Sequence, residues 1–116
     1  MSHILLTPTN WIVVVADRLL TGATINDLQR KFLLSIADEA KELRTLILSI
    51  PDLSTEQAQH MMSYDGRSHL TSIIGYAELL LDEIEGELTD QQRNLLREIR
   101  SNGRELLVKI SEIVKS

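Results

Sequence analysis

Residues 63–81 read Ser-Tyr-Asp-Gly-Arg-Ser-His-Leu-Thr-Ser-Ile-Ile-Gly-Tyr-Ala-Glu-Leu-Leu-Leu, and the spacing of their apolar side chains decides the fold. The apolar positions recur at intervals of three and four residues as far as Ile84: Leu70, Ile73, Ile74, Ala77, Leu80 and Leu81. Such intervals place side chains along one face of an α-helix. The sequence therefore predicts a helix over about 54–84, with a weak point at Asp65-Gly66.

Two capping-box patterns mark the starts of this helix and of the next one. Ser54 precedes Gln57 by three positions, and Thr89 precedes Gln92 in the same way. In a capping box the hydroxyl accepts from one orphan backbone N–H, and the amide oxygen accepts from another. The second box predicts a helix over about 89–115. The connection between the two helices is short, so we expect an antiparallel hairpin.

The N-terminal half contains a third strong helical pattern, over about 25–50. Thr24 is a candidate N-cap, and Pro51 ends the helix because it lacks a backbone donor. Six apolar residues recur at spacings of three and four, as in a coiled-coil seam: Leu33, Ile36, Ala40, Leu43, Ile47 and Ile50.

The first segment, about Thr7 to Leu20, is ambiguous. Thr7 followed by Pro8 fits an N-cap with proline at the first helical position. The β-branched run over 12–15 equally suits a buried strand. We favour a short helix because a lone strand in an otherwise helical chain has no strand to pair with.

These elements predict an all-α protein. At 116 residues, the chain is long enough for one domain with one core. It divides into an N-terminal helical extension, 1–50, and a helical hairpin, 52–116. Two helices cannot bury two wide apolar stripes alone, so we expect the hairpin to dimerise into a four-helix bundle. The 25–50 helix would then pack alongside the bundle or stack on one end.

Composition narrows the partners and the chemistry. The net charge is −5 and there is no basic block, which argues against nucleic acid. There is no cysteine, which excludes thiol catalysis and cysteine metal sites. The apolar block at 11–16 is far shorter than the ~20 residues of a membrane span, and no secretory signal is evident. We expect a cytoplasmic protein with no membrane contact and no cofactor.

The hairpin resembles the dimerisation and phosphoacceptor domain of two-component sensor histidine kinases. The resemblance covers roughly 55–115, and its most specific parts are 70–80 and 88–99, with 103–114 continuing the second helix. In that family the first helix carries the histidine that is phosphorylated, and the domain forms a homodimer. The resemblance implies a homodimer that binds a response regulator or a histidine kinase.

The departures from the family's pattern fall on its chemistry. Tyr64 stands in the phosphoacceptor position, where the family has histidine. Asp65 matches the acidic residue that assists proton transfer, and Ser68 replaces a threonine that helps to orient water for regulator dephosphorylation. A phenol with an ordinary pKa of about 10 is a poor nucleophile without activation. Tyr64 is thus expected on a docking face or packed between helices.

The neighbouring residues complete the predicted partner-binding surface. Arg67 is retained from the family pattern, and His69 replaces the proline that bends the helix. Together with Tyr64 and Ser68, these two residues and Thr71 are the expected partner contacts.

Three functional readings follow. The preferred one is a non-catalytic, pseudo-phosphotransfer module that dimerises and alters signalling by occupancy, since no ATP-binding boxes are present in the chain. The alternative is catalytic: phosphotransfer through His60, which shares a helix face with Tyr64, or a phosphatase that uses Asp65 and Ser68. A purely structural bundle is the third. His60 and His69 are nine residues apart, and no ligand set completes them at helical spacing, so we expect no metal site.

Overall fold

A computed structural model describes residues 2–22 and 24–115, with the side chains of 2, 3 and 115 left out. The described chain is helical without strands, so the prediction of an all-α protein is confirmed. Its elements are α1 Ser2–Leu20, α2 Asp27–Ser49, α3 Glu56–Met61, a π-helical turn Met62–Gly66, α4 Arg67–Leu81 and α5 Asp90–Lys115.

The long helices pack in a ring. Helix α1 contacts α2 and α5, and α4 contacts the same two helices. The chain measures 45 × 21 × 18 Å along its principal axes, which matches helices of about 26 residues lying side by side at 1.5 Å per residue. The predicted hairpin is present as α3–α4 followed by α5. The four-helix bundle is completed within one chain, by α1 and α2.

Each long helix contributes fully buried apolar side chains to a single core. Ile12, Ile36, Ile73 and Leu106, one from each of α1, α2, α4 and α5, are all 0% exposed. The reasoning that the hairpin needs a second copy to bury its stripes was therefore wrong, because α1 and α2 cover those stripes. The homodimer itself stays a prediction.

Helix α1 is longer than the sequence predicted. It begins at Ser2, so Thr7 is not its N-cap and Pro8 lies inside the helix. Leu5 is fully buried, and the Thr9 hydroxyl donates a hydrogen bond to the Leu5 carbonyl at 2.6 Å. Burial of a leucine contributes roughly 1.5–3 kcal/mol, which offsets much of the cost of an interior proline.

Two predicted caps lie one or two residues away from the real ones. Helix α2 is capped by Asn26 rather than Thr24. Helix α3 is capped by Thr55, whose hydroxyl accepts from the backbone N–H of Ala58 at 3.1 Å, while Ser54 donates to the Asp52 carboxylate instead. Several small polar residues lie close together at both sites, so residue type alone does not show which of them caps the helix.

The ends of the hairpin connection are partly as predicted. Thr89 and Gln92 form the predicted capping box, with the two reciprocal bonds at 2.8 and 3.1 Å. Helix α4 ends at Leu81, three residues before the predicted Ile84. Glu83 adopts a left-handed φ of 57°, and Ile84 is 78% exposed rather than part of the stripe.

The π-helical turn joins α3 and α4 at the predicted weak point. Four successive buried positions lie four residues apart: Ala58, Met62, Gly66 and Leu70. In an α-helix each interval of four turns about 40° past a full circle, so these side chains would drift off the core face. The wider π turn absorbs that drift and keeps all four positions against the core.

Candidate functional site

The π turn presents Tyr64 to solvent. Its side chain is 66% exposed, and its ring stacks on that of His60, with centroids 4.5 Å apart and planes inclined at 47°. The predicted shared face of these two residues is thus present. Isolated π turns inside α-helices occur frequently at functional sites, and this one coincides with the segment that resembles the phosphoacceptor motif.

Tyr64 begins an exposed ridge along α4, which we call the outer face and define as Tyr64, Ser68, Thr71, Gly75 and Leu79. All five are exposed, and even the apolar Leu79 is 44% exposed. A shallow hollow of about 340 Å³ lies at its far end, lined by Ser72, Gly75, Tyr76 and Leu79. Apart from its two chain neighbours and the nearby backbone of its own helix, no described residue has an atom within 4 Å of the position where a Cβ on Gly75 would stand. The outer face is therefore open along its length.

Arg67 turns away from the outer face towards α5. Its guanidinium Nη2 donates a hydrogen bond to Ser111 Oγ at 3.0 Å. Its Nε is buried and has no hydrogen-bond acceptor among the described residues. Arg67 therefore links the two helices of the hairpin and flanks the outer face rather than forming part of it.

His69 turns the other way, towards α2. Its Nδ1 lies 2.9 Å from Glu39 Oε2 and 3.6 Å from Glu42 Oε2. Of the five predicted partner-binding residues, Tyr64, Ser68 and Thr71 share one surface, while Arg67 and His69 make contacts within the bundle. Spacing along the chain does not show this cluster, because Glu39 and Glu42 lie about thirty positions from His69. The three donor atoms lie within 4.8 Å of one another.

The three candidate catalytic residues are all exposed. His60, Asp65 and Ser68 lie on or beside the π turn, and their side chains form no hydrogen bond or ion pair with the residues that the structure describes. A general base or acid in a built site is usually oriented by a second group. That orienting group is missing from the described residues around these three.

Polar side chains are paired at the bundle end where the α1–α2 and α4–α5 connections meet, which we call the loop end. Asn26 Nδ2 donates to the Glu85 carbonyl at 2.6 Å, and Gln29 Nε2 donates to that of Glu87 at 3.3 Å. Gln92 Nε2 donates to Thr24 at 3.3 and 3.4 Å. Each amide uses its oxygen to cap a helix and its nitrogen to reach the other connection.

A charged pair reinforces the loop end. Arg93 donates two hydrogen bonds to the Glu83 carboxylate, at 3.1 and 3.2 Å, and the Leu88 N–H donates a third at 2.8 Å. These donors, the Arg93 guanidinium first, lower the pKa of Glu83 below its ordinary value. The same pairing raises the pKa of Arg93.

One further surface is apolar and open. A groove of about 660 Å³ runs between α1 and α5, with Trp11 and Lys109 among the residues that line it. On its α1 side Ile4, Trp11 and Val14 are 45%, 41% and 47% exposed. These three residues form the α1 strip. They lie outside the core that α1 shares with α2 and α5.

Among the described helices, none combines the length and the apolar character that crossing a bilayer requires. No protein-family model, no curated protein and no solved structure matches the chain.

Proposed function

We propose that this chain is a non-catalytic module of two-component signalling whose outer face binds the receiver domain of a response regulator. One observation carries the proposal. The segment that resembles the phosphoacceptor helix is kept as an exposed helical ridge on a closed bundle, with a phenol at the position of the reactive histidine. Tyr64 is 66% exposed there, so a partner has direct access to it.

The chemistry of Tyr64 favours binding over phosphoryl transfer. Its contact with His60 is between the two rings, whose centroids lie 4.5 Å apart with the planes tilted by 47°, and such a contact does not remove the phenolic proton. An unactivated phenol is a poor nucleophile, and activation needs an adjacent base within hydrogen-bond reach. An exposed tyrosine is instead well suited to an interface, because aromatic anchors bury a large area at a low cost in side-chain entropy.

The make-up of the outer face supports a helical docking ridge. Tyr64 at one end and Leu79 at the other supply apolar area, and Ser68, Thr71 and Gly75 between them are small. Small residues let a partner helix approach closely, while the two larger ones provide anchors. A helix that lays such a face against a groove or helix of its partner is a recurring mode of recognition.

Calorimetric titration of the full chain with candidate receiver domains, phosphorylated and unphosphorylated, tests the proposal. We expect saturable binding that weakens at least about tenfold in Tyr64→Ala, as is typical of an interface anchor. Leu48→Ala is the matched control, since Leu48 is an apolar residue of α2 that is 63% exposed and does not belong to the outer face. If the chain bound a kinase dimerisation domain but no receiver domain, the partner would be the kinase. Equal loss in both variants would contradict the outer face as the site.

A catalytic role is the second candidate, favoured by the exposure of His60, Asp65 and Ser68 at one turn. Transfer through His60 predicts acid-labile radiolabel on the chain after incubation with a phosphorylated regulator or kinase, and its loss in His60→Ala. A phosphatase predicts faster regulator dephosphorylation that disappears in Asp65→Ala. The binding module predicts neither signal together with a stable complex.

The predicted homodimer is part of the proposal, but its interface is now expected on a different surface. The bundle seams are already covered by α1 and α2, so self-association has to use an outward surface. The α1 strip is apolar and borders an open groove, which favours it over the charged faces. Light scattering on the full chain is expected to give a dimer mass that falls to a monomer mass in Trp11→Glu. A monomer at all concentrations would remove the dimer from the proposal.

A further inference from the structure

We propose that Glu39, Glu42 and His69 form a binding site for a divalent first-row transition metal, with Zn²⁺ as the best-suited ion. The proposal is independent of the docking function. It concerns a different surface, the seam between α2 and α4, and it stands on the convergence of one imidazole and two carboxylates from two helices.

The positions of the three residues explain the convergence. Glu39 and Glu42 are three residues apart on α2, so their side chains project from one face. Helix α4 packs against that face and brings His69 opposite them. Residues from two packed helices that meet in this way are the usual source of metal ligands in helical bundles.

The distances suit a small cation. Zinc binds imidazole nitrogen and carboxylate oxygen at 2.0–2.2 Å, which puts two ligands of a tetrahedral ion about 3.4 Å apart. His69 Nδ1 lies 2.9 Å from one carboxylate oxygen and 3.6 Å from the other, and all three donor atoms lie within 4.8 Å of one another. Small side-chain rotations place an ion between them without moving either helix.

The chemistry of the donors selects the class of metal. A nitrogen ligand disfavours Ca²⁺ and Mg²⁺, which prefer oxygen, and the lack of sulfur disfavours Cu(I). Two carboxylates with a neutral imidazole carry two negative charges, which a divalent ion neutralises. Without the ion, His69 Nδ1 contacts Glu39 Oε2 across the same seam, and a bound ion would take the place of that contact.

The site has room for an ion to enter and for water to complete its coordination. The side chains of His69 and Glu39 are 22% and 28% exposed, whereas that of Glu42 is 64% exposed. Three protein ligands with one open position are the arrangement of catalytic rather than closed structural zinc sites. Glu42 is the ligand at the solvent side, and it has the greatest freedom to turn towards an ion.

The full chain, treated with a chelator and dialysed, is titrated with ZnCl₂ by calorimetry. We expect one saturable site per chain and a melting temperature that rises with Zn²⁺ concentration. With Co²⁺ as a spectroscopic substitute, we expect the intense visible absorption of a four-coordinate ion. His69→Ala and Glu42→Gln are each expected to weaken binding at least about tenfold, since even second-shell changes cost that much.

The controls separate this site from other histidines and from unfolding. His60→Ala is expected to keep wild-type affinity, because His60 does not belong to the cluster. Glu42→Gln removes a charge from a side chain that is 64% exposed, so the fold is expected to survive it, and circular dichroism checks this. An absence of saturable binding, or affinity unchanged in both His69→Ala and Glu42→Gln, would overturn the proposal and leave the cluster an ion pair only.

Discussion

The loop end and the π turn are both rich in polar side chains, but the fold uses them differently. At the loop end Asn26, Gln29 and Gln92 each cap a helix and also bridge the two connections. At the π turn, the rings of Tyr64 and His60 contact each other, and neither side chain forms a hydrogen bond with another described residue. The first group holds the bundle together, whereas the second is not required by it.

The difference in pairing separates the polar residues that the bundle needs from those that are available to a partner. A paired polar group at a helix end satisfies backbone donors that would otherwise cost free energy. An exposed aromatic residue on a distorted turn satisfies nothing within the chain. We therefore expect changes at the loop end to lower stability, and changes at the π turn to alter binding while stability stays nearly constant.

The largest expected effect comes from removing α1 and α2, the two helices that pack against the hairpin. A fragment of residues 52–116 retains the hairpin but loses α1 and α2, which cover its apolar stripes. We expect this fragment either to lose most of its helical content or to associate into oligomers. Circular dichroism and light scattering on the fragment and the full chain distinguish these states. A stable, fully helical monomer would contradict the role assigned to α1 and α2.

Gly86→Ala tests the loop end at its tightest point. Gly86 has a φ of 143°, and an added Cβ would stand 2.5 Å from Asn26 Nδ2 and 2.8 Å from Gln29 Nε2. We expect the free energy of unfolding to fall by about 2–3 kcal/mol, from backbone strain and displaced bridging amides.

The matched change on the outer face is Gly75→Ala. Its added Cβ meets no described atom within 4 Å other than those of its chain neighbours and the nearby backbone of its own helix. Alanine is more stable than glycine in a helix interior by up to about 1 kcal/mol. Urea denaturation of both variants is expected to give opposite signs. Equal destabilisation would contradict the assignment of an open outer face.

Asn26→Ala is expected to have a smaller effect than Gly86→Ala. It removes an N-cap, which costs about 1 kcal/mol in most helices, and the bridge to the Glu85 carbonyl. We expect a loss of about 1–2 kcal/mol in urea denaturation. His60→Ala at the π turn serves as the comparison, and it is expected to stay within about 0.5 kcal/mol of wild type. A larger loss of stability in His60→Ala than in Asn26→Ala would contradict the structural role of the loop end.

The smallest expected effect is a pH dependence at the loop end. The pKa of Glu83 is lowered in the folded state, first by Arg93 and then by the Leu88 N–H. Its contribution to stability is therefore present above its ordinary value of 4.5 and is lost as the pH falls through the lowered value. Glu83→Gln removes it, so the stability difference from wild type is expected to shrink on acidification. A difference that grew below that pH would contradict the pairing.

The helices were predictable because their apolar residues repeat with the period of the helix. Their caps were less so, since Thr24 and Asn26 are both good capping residues and only the position of the neighbouring connection makes Asn26 the one that is used. The π turn could have been predicted from spacing. A repeated interval of four does not fit an unbroken α-helix, and it runs through Ala58, Met62, Gly66 and Leu70.

The candidate surfaces, too, were only partly predictable from the sequence. The ridge from Tyr64 to Thr71 followed from residues on one helix, where the period alone tells which side chains are neighbours. The contact of His69 with Glu39 and Glu42 did not, because no local rule pairs residues about thirty positions apart. The inward turns of Arg67 and His69 were missed for this reason.

The sequence by itself determined that the chain is helical, where its long helices lie, and that a phenol occupies the position of the reactive group in the motif it resembles. These are local properties, set by side-chain type and spacing. The tertiary structure decided which stripes meet, and so completed the bundle within one chain. It also brought an imidazole and two carboxylates together across a seam, because packing between distant segments depends on how all the apolar faces are buried at once.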